Sequence, residues 1–373
     1  MRTYEIRVKS NKFMKSIYIF NIRISYRKNV YKRGTDMEQR KIISLGRSSL
    51  VVSLPKYWIK MNELKQGDIV SVAVQRDRSL VIFPGSRRKE SRKITLYIEP
   101  DEKVTSIIRK VIACYLNGYF GIRLVSKKIF TVPQQRAIRN ISRKLYMRIM
   151  ESNAKYIYIQ TLIDETKVFI DTAVRRMHAI AVSMYRDALN SLRNRDIDLA
   201  RVVYSLDNDV DHFSFFILRL IRSVILNPEL TNHLGLEPID CPDYQTLVHR
   251  IEQVADRAAN IAKCIIMLKG AKQKIPDQIL DLILKTGDEV SNAYDRAVKA
   301  FFSKDVVEAN KIIELQHTIE KLDQEIASKF FVQKTRNVAL SCSVCSILDC
   351  IRETMEHVVD IADITIDRSY RAV

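Results

Sequence analysis

From Val168 to the end of the chain, apolar residues recur at three- and four-residue spacing with few Gly or Pro to interrupt them. That period predicts six long helices: Val168–Leu192, Asp196–Leu226, Asp243–Lys269, Asp277–Phe302, Asp305–Phe331 and Ala339–Ser369, in two sets of three. An internal repeat supports the two sets. Asp196-Ile-Asp-Leu-Ala200 aligns with Asp305-Val-Val-Glu-Ala309, and the same offset places Val210-Asp211 on Ile319-Glu320 and Phe213 on Leu322. Tyr185, Tyr204 and Phe213–Phe216 fall at helix-packing positions and read as core.

The front of the chain has a shorter period and frequent punctuation. Arg40–Ser44 alternates, Gly46 turns, Leu50–Leu54 is rich in strand formers, and Pro55 opens a short helix through Met61. Gln66-Gly67-Asp68 makes a turn, and Ile69–Val74 and Leu80–Phe83 read as strands joined across Arg76–Arg78. A module this small predicts pairing with a second copy. Further on, 92–99 alternates as a strand and Val104–Leu116 is an amphipathic helix, followed by a strand reaching Val125. A helix after Pro133 carries Ile138, Ile141, Leu145 and Ile149, and Tyr156–Leu162 closes a β-α-β-α-β connector. The predicted fold class is therefore α+β and multidomain: a β domain at 37–85, a small α/β connector at 86–164, and two three-helix bundles over 165–373, with repeats near 168–270 and 277–370.

Charge divides the chain in the same places. The net charge of +19 splits into +8 over 1–36, +4 over 37–85, +12 over 86–160 and −5 over 161–373. A basic front and a mildly acidic back predict polyanion binding in front and a different task behind. Residues 1–36 mix basic and aromatic side chains and have two readings: a basic arm on nucleic acid, or an extension ahead of a true start at Met37. The six cysteines are scattered, no cleavage site follows an apolar run, and stretches such as Ser214–Leu220 are far shorter than a membrane span. These features predict a soluble, cytoplasmic protein that is not an integral membrane protein.

Lys41, Gly46-Arg47, Val52-Ser53-Leu54-Pro55-Lys56 and Leu64-Lys65-Gln66-Gly67-Asp68-Ile69-Val70 together resemble the AbrB/MazE/SpoVT family of swapped-hairpin DNA-binding domains. The resemblance covers Glu38–Pro84 and implies a homodimer of interlaced hairpins laid across DNA, with Arg40, Lys41, Arg47, Lys56 and Lys60 at the contact. Phosphate contact with counterion release suits Lys and Arg, and Arg47 is able to reach a base edge. Ordinary solvated charges on a small β module explain the same residues.

Two i,i+4 pairs, Asp207/Asp211 and Glu252/Asp256, each place like charges on one helix face, where they repel by a few tenths of a kcal/mol. By spacing alone a solvated acidic stripe is the simpler reading. If the two helices face one another, the carboxylates suit a hard cation such as Fe, Mn, Mg or Ca rather than a thiolate-loving metal. The run Arg250-Ile-Glu252-Gln-Val-Ala-Asp256-Arg-Ala-Ala-Asn260-Ile-Ala262, with Asp196, Ala200, Val203, Asp207 and Val210-Asp211, resembles the PhoU family of phosphate-uptake regulators. That resemblance implies two duplicated three-helix bundles whose E(D)xxxD motifs hold metal ions. It also implies control of phosphate uptake, either at DNA or as an adaptor to a phosphate transporter or sensor component. In the second repeat Gln316 stands where Asp207 does and Arg352 where Glu252 does, leaving Glu320, Glu356 and Asp360. Arg352 is placed to pair with these internally, which predicts one good site and one degraded one.

Nothing indicates an enzyme. The six His show no H-x-x-x-H pair or nucleophile partner, and neither glycine-rich phosphate loop occurs. Cys342-Ser-Val-Cys345 has no second C-x-x-C and reads, with Cys350, as small core residues.

Overall fold

A computed structural model describes residues 38–46, 49–74, 78–85, 92–226, 230–270, 274–332 and 337–371; residues 1–36 and Arg47 lie outside the described residues. The chain divides into two compact units after Val70, inside the segment 37–85 that the sequence groups together. In the first unit β1 (Ile43–Leu45) pairs antiparallel with β2 (Ser49–Val51), Ile43 opposite Val51. Gly46, at φ +72°, makes the turn that leaves β1. Pro55 precedes α1 (Lys56–Met61), and the Asp68 carboxylate closes the following turn by accepting from the Lys65 amide at 2.7 Å. None of the described side chains of this unit is buried.

The second unit begins with a two-stranded sheet of β3 (Val70–Val74) and β4 (Leu80–Pro84). A four-stranded sheet follows, in the order β5 (Lys93–Ile98), β6 (Gly121–Ser126), β8 (Tyr156–Thr161) and β7 (Met147–Ser152). Only β5 and β6 run parallel, joined by the crossover helix α2 (Val104–Leu116). A Thr131/Gln134 capping box opens α3 (Val132–Lys144). The expected helix through Ile149 does not form: α3 ends at Lys144, Tyr146 turns left-handed at φ +51°, and Ile149 lies on β7, a strand the periodicity did not predict.

The helical half comprises α4 (Ile170–Asn194), α5 (Ile197–Leu226), the short α6 (Leu230–Leu234), α7 (Cys241–Gly270), α8 (Asp277–Ser303), α9 (Val306–Val332) and α10 (Val338–Ser369). The repeat is visible in the turns. Arg195 and Lys304 both adopt left-handed backbone after α4 and α8, and Asp196 and Asp305 then cap α5 and α9, accepting from the amides of Leu199 (3.0 Å) and Glu308 (2.9 Å). Tyr185, Tyr294 and Phe301 are fully buried. Tyr204 is not core as expected but 53% exposed, because the inward stripe of α5 runs through Ala200, Val203 and Val210. Cys350 is buried, whereas Cys342 is exposed and Cys345 half-buried, so the C-x-x-C pair is not core; all six cysteines are unbonded.

The connector is fastened to α5 by Arg219, which is only 4% exposed. Its guanidinium donates to Glu165 Oε1 at 2.8 Å, to the Tyr119 carbonyl at 3.1 Å and to the Tyr115 carbonyl, and lies 4.7 Å from the Tyr115 ring. Those carbonyls belong to the last turn of α2 and the residues after it, and the Tyr115 carbonyl also accepts from the Gly118 amide at 3.1 Å. Replacing Arg219 by Ala leaves Glu165 and the carbonyls without their donor and should cost about 3–5 kcal/mol in urea unfolding. A loss below about 1 kcal/mol would show that the joint does not depend on it.

Candidate functional site

Helices α5 and α7 pack side by side and bring all four predicted acids of the first repeat together. Glu252 is 4% exposed, and Asp207, Asp211 and Asp256 are half-buried. Burial pushes the Glu252 carboxyl up to about 9, reinforced by the charges on Asp256, Asp211 and Asp207. Asp207 is raised by burial, then by Asp256 and Asp211, and Asp256 by burial and Asp211. The Asp207 and Asp256 carboxyls interact directly, which adds to the upward push on Asp207.

A cation from outside the helical half completes the set. Lys144, the last residue of α3, places Nζ 2.6 Å from Asp211 Oδ2. The left-handed turn at Tyr146 sets the end of α3 there, its ring packing edge-on against His212 (5.8 Å) and Phe216 (6.0 Å) of α5. Nothing in the residues around Lys144 announces this contact, because a partner 67 residues away leaves no local signal. With these internal partners in place, the acids do not converge on one point: among the described residues no group of three or more His, Cys, Asp or Glu is arranged to hold an ion. The donor chemistry still fits a hard cation, because four clustered oxygen ligands repel one another and invite positive charge.

The second repeat is arranged differently. Arg352 donates to Glu356 at 2.7 Å and to Asp349 at 3.1 Å, Gln316 to Glu320 at 3.1 Å, and Arg250 of α7 pairs with Asp360 at 2.8 Å. Glu320, Glu356 and Asp360 are thus engaged separately rather than gathered.

In the first unit Lys41, Lys56 and Lys60 are exposed. Arg40 pairs with Glu38 and donates to Ser53 at 3.4 Å, which holds it against the start of the module. Several of its apolar residues are exposed too, Leu50 at 74%.

Two three-helix bundles repeated in tandem, the first with a buried carboxylate seam, define a duplicated helical domain behind a small β module. The PhoU domain family model matches residues 174–265 and 283–365, one span per bundle, so the chain is a PhoU-domain protein. Residues 43–90 match the family of antidote-toxin recognition MazE, bacterial antitoxin. Solved structures similar to it include PhoU from Pseudomonas aeruginosa, 16% identical over 53% of this chain and 93% of that one with a TM-score of 0.45. Another is the phosphate transport system regulatory protein PhoU from Streptococcus pneumoniae, at 12%, 53%, 91% and 0.46. No curated protein matches the chain.

A carboxyl whose folded pKa is raised contributes stability that is present below its ordinary range and lost as pH rises through the folded value. In EDTA-treated protein, Glu252→Gln should therefore leave Tm near pH 5 almost unchanged and raise it near pH 9, where the wild type is forced to ionise a buried acid. Calorimetry at the two pH values measures this; an equal change at both would contradict the assigned burial effect.

Proposed function

We propose that this chain is a dimeric, DNA-binding regulator of phosphate uptake whose helical half reads a metal ion. The observation that carries the reading is the first compact unit, which buries none of its described side chains and carries Lys41, Lys56 and Lys60 exposed on its surface. A second copy would cover Ile43, Leu45 and Leu50, and the cations would then line a shared face for phosphodiesters. The MazE family match supports the pairing, and the named role of the Streptococcus pneumoniae relative supports phosphate as the subject of control.

Asp207, Asp211, Glu252 and Asp256 would hold a divalent or trivalent cation, Fe, Mn, Mg or Ca, which would supply the positive charge that Lys144 supplies here. Lys144 is the chain's own lever. While it pairs with Asp211 it ties α3, and with it the connector, to α5; released, it leaves that joint to Arg219.

Sedimentation of the intact chain should give twice its 43.3 kDa, and gel shifts with duplex DNA should weaken steeply between about 50 and 200 mM salt. Lys41→Ala/Lys60→Ala should reduce both the affinity and the salt slope. Binding that ignores salt and both substitutions would leave the front module as a dimerisation device, with the protein acting as an adaptor to a transporter or sensor component. Lys144→Met removes the internal competitor and should tighten Mn²⁺ binding, read by calorimetry and metal content, by about tenfold; unchanged affinity would separate Lys144 from the acidic set.

A further inference from the structure

The connector sheet has two unlike faces. Ile98, Ile122, Leu124, Ile157 and Ile159 point into the core shared with α2 and α3. The register puts the alternate residues on the opposite face in rows: Lys93, Gly121, Gln160 and Arg148; Thr95, Arg123 and Tyr158; Tyr97, Val125 and Tyr156. Lys93, Thr95, Arg123 and Arg148 are exposed, and Tyr97 is 72% exposed.

Rings and cations interleave on this face. Tyr158 lies flat against Gly121, where a Cβ would stand 2.5 Å from its hydroxyl oxygen, so only glycine admits the ring there. Its hydroxyl donates to Gln160 at 3.1 Å, and Arg123 and Lys93 stand 5.7 Å and 6.0 Å from its ring centre. Glu151, opposite Tyr158, is the acid on these rows and is engaged by the Tyr156 hydroxyl. Beyond the Tyr97 row, Lys127, Lys128 and Lys155 are exposed at the strand ends.

We propose that this face binds single-stranded nucleic acid, with Tyr97 and Tyr156 as stacking platforms for unpaired bases and Lys93, Arg123 and Arg148 along the phosphates. The charge is complementary to a polyanion and opposed to a second copy, whose cations would meet the same cations. An open sheet face with rings two strands apart suits bases whose flat sides are free, which a duplex does not offer. The acidic seam and the front module play no part, so this activity stands or falls apart from theirs.

The test uses the full chain and fluorescein-labelled oligo(dT) and oligo(U), with excess unlabelled duplex present to occupy any duplex-binding surface. Anisotropy should report single-strand binding that the duplex does not abolish; the stronger of the two probes identifies DNA or RNA as the source. Tyr97→Ala should weaken it about tenfold, Tyr97→Phe should retain it, and neither should alter gel shifts with duplex. Three outcomes would overturn the assignment: no binding of either probe at low salt, complete competition by duplex, or Tyr97→Ala changing only the self-association of the chain.

Discussion

The burial of a single guanidinium, Arg219, is the constraint on which the joint between connector and bundle depends. A charge taken out of water is tolerated only when every donor direction is met. Here Glu165 supplies the countercharge, and the end of α2 and the residues after it supply the Tyr115 and Tyr119 carbonyls as further acceptors. The joint is specific for that reason: sliding α2 along α5 would strand both the arginine and the carbonyls.

From that fixed joint, the reach of α3 follows. With α2 pinned and α3 packed on it, the last turn of α3 comes to rest beside Asp211, and Lys144 enters an acidic seam built by two other helices. Such a seam is unfavourable by itself, since burial raises Glu252, Asp207 and Asp256 together. Its compensation by one lysine is reversible in a way that a buried apolar contact is not.

The helices were legible because an amphipathic stripe sustained over more than twenty residues admits few other structures, and because Asp196 and Asp305 mark equivalent helix starts. Strand β7 was not legible, since Ile149 satisfies both a helical spacing from Ile138, Ile141 and Leu145 and a strand's alternation. The choice between them falls at Tyr146, whose left-handed backbone no glycine announces. Tyr204 and Cys342 misled for a simpler reason: each sits one position off the inward stripe of its helix, where apolar content alone does not set direction. The four acids of the seam were found from spacing and motif, but Lys144 was not, because contact across 67 residues depends on the connector's docking rather than on any pattern near either residue.

Duplication has left the two bundles electrostatically unlike, and the difference bears on which of them is tied to the connector. In the second, Arg352 neutralises Glu356 from one turn away on the same helix, and Arg250 reaches Asp360 from α7 of the first bundle, so the compensation lies inside the helical half. In the first, the compensating ammonium belongs to a different layer of the protein. A change of charge in the second bundle would be taken up between α7 and α10, whereas the same change in the first alters the hold on α3 and hence on the sheet packed with it. The asymmetry thus gives the acidic seam of the first bundle, and not the carboxylates of the second, a direct tie to the connector.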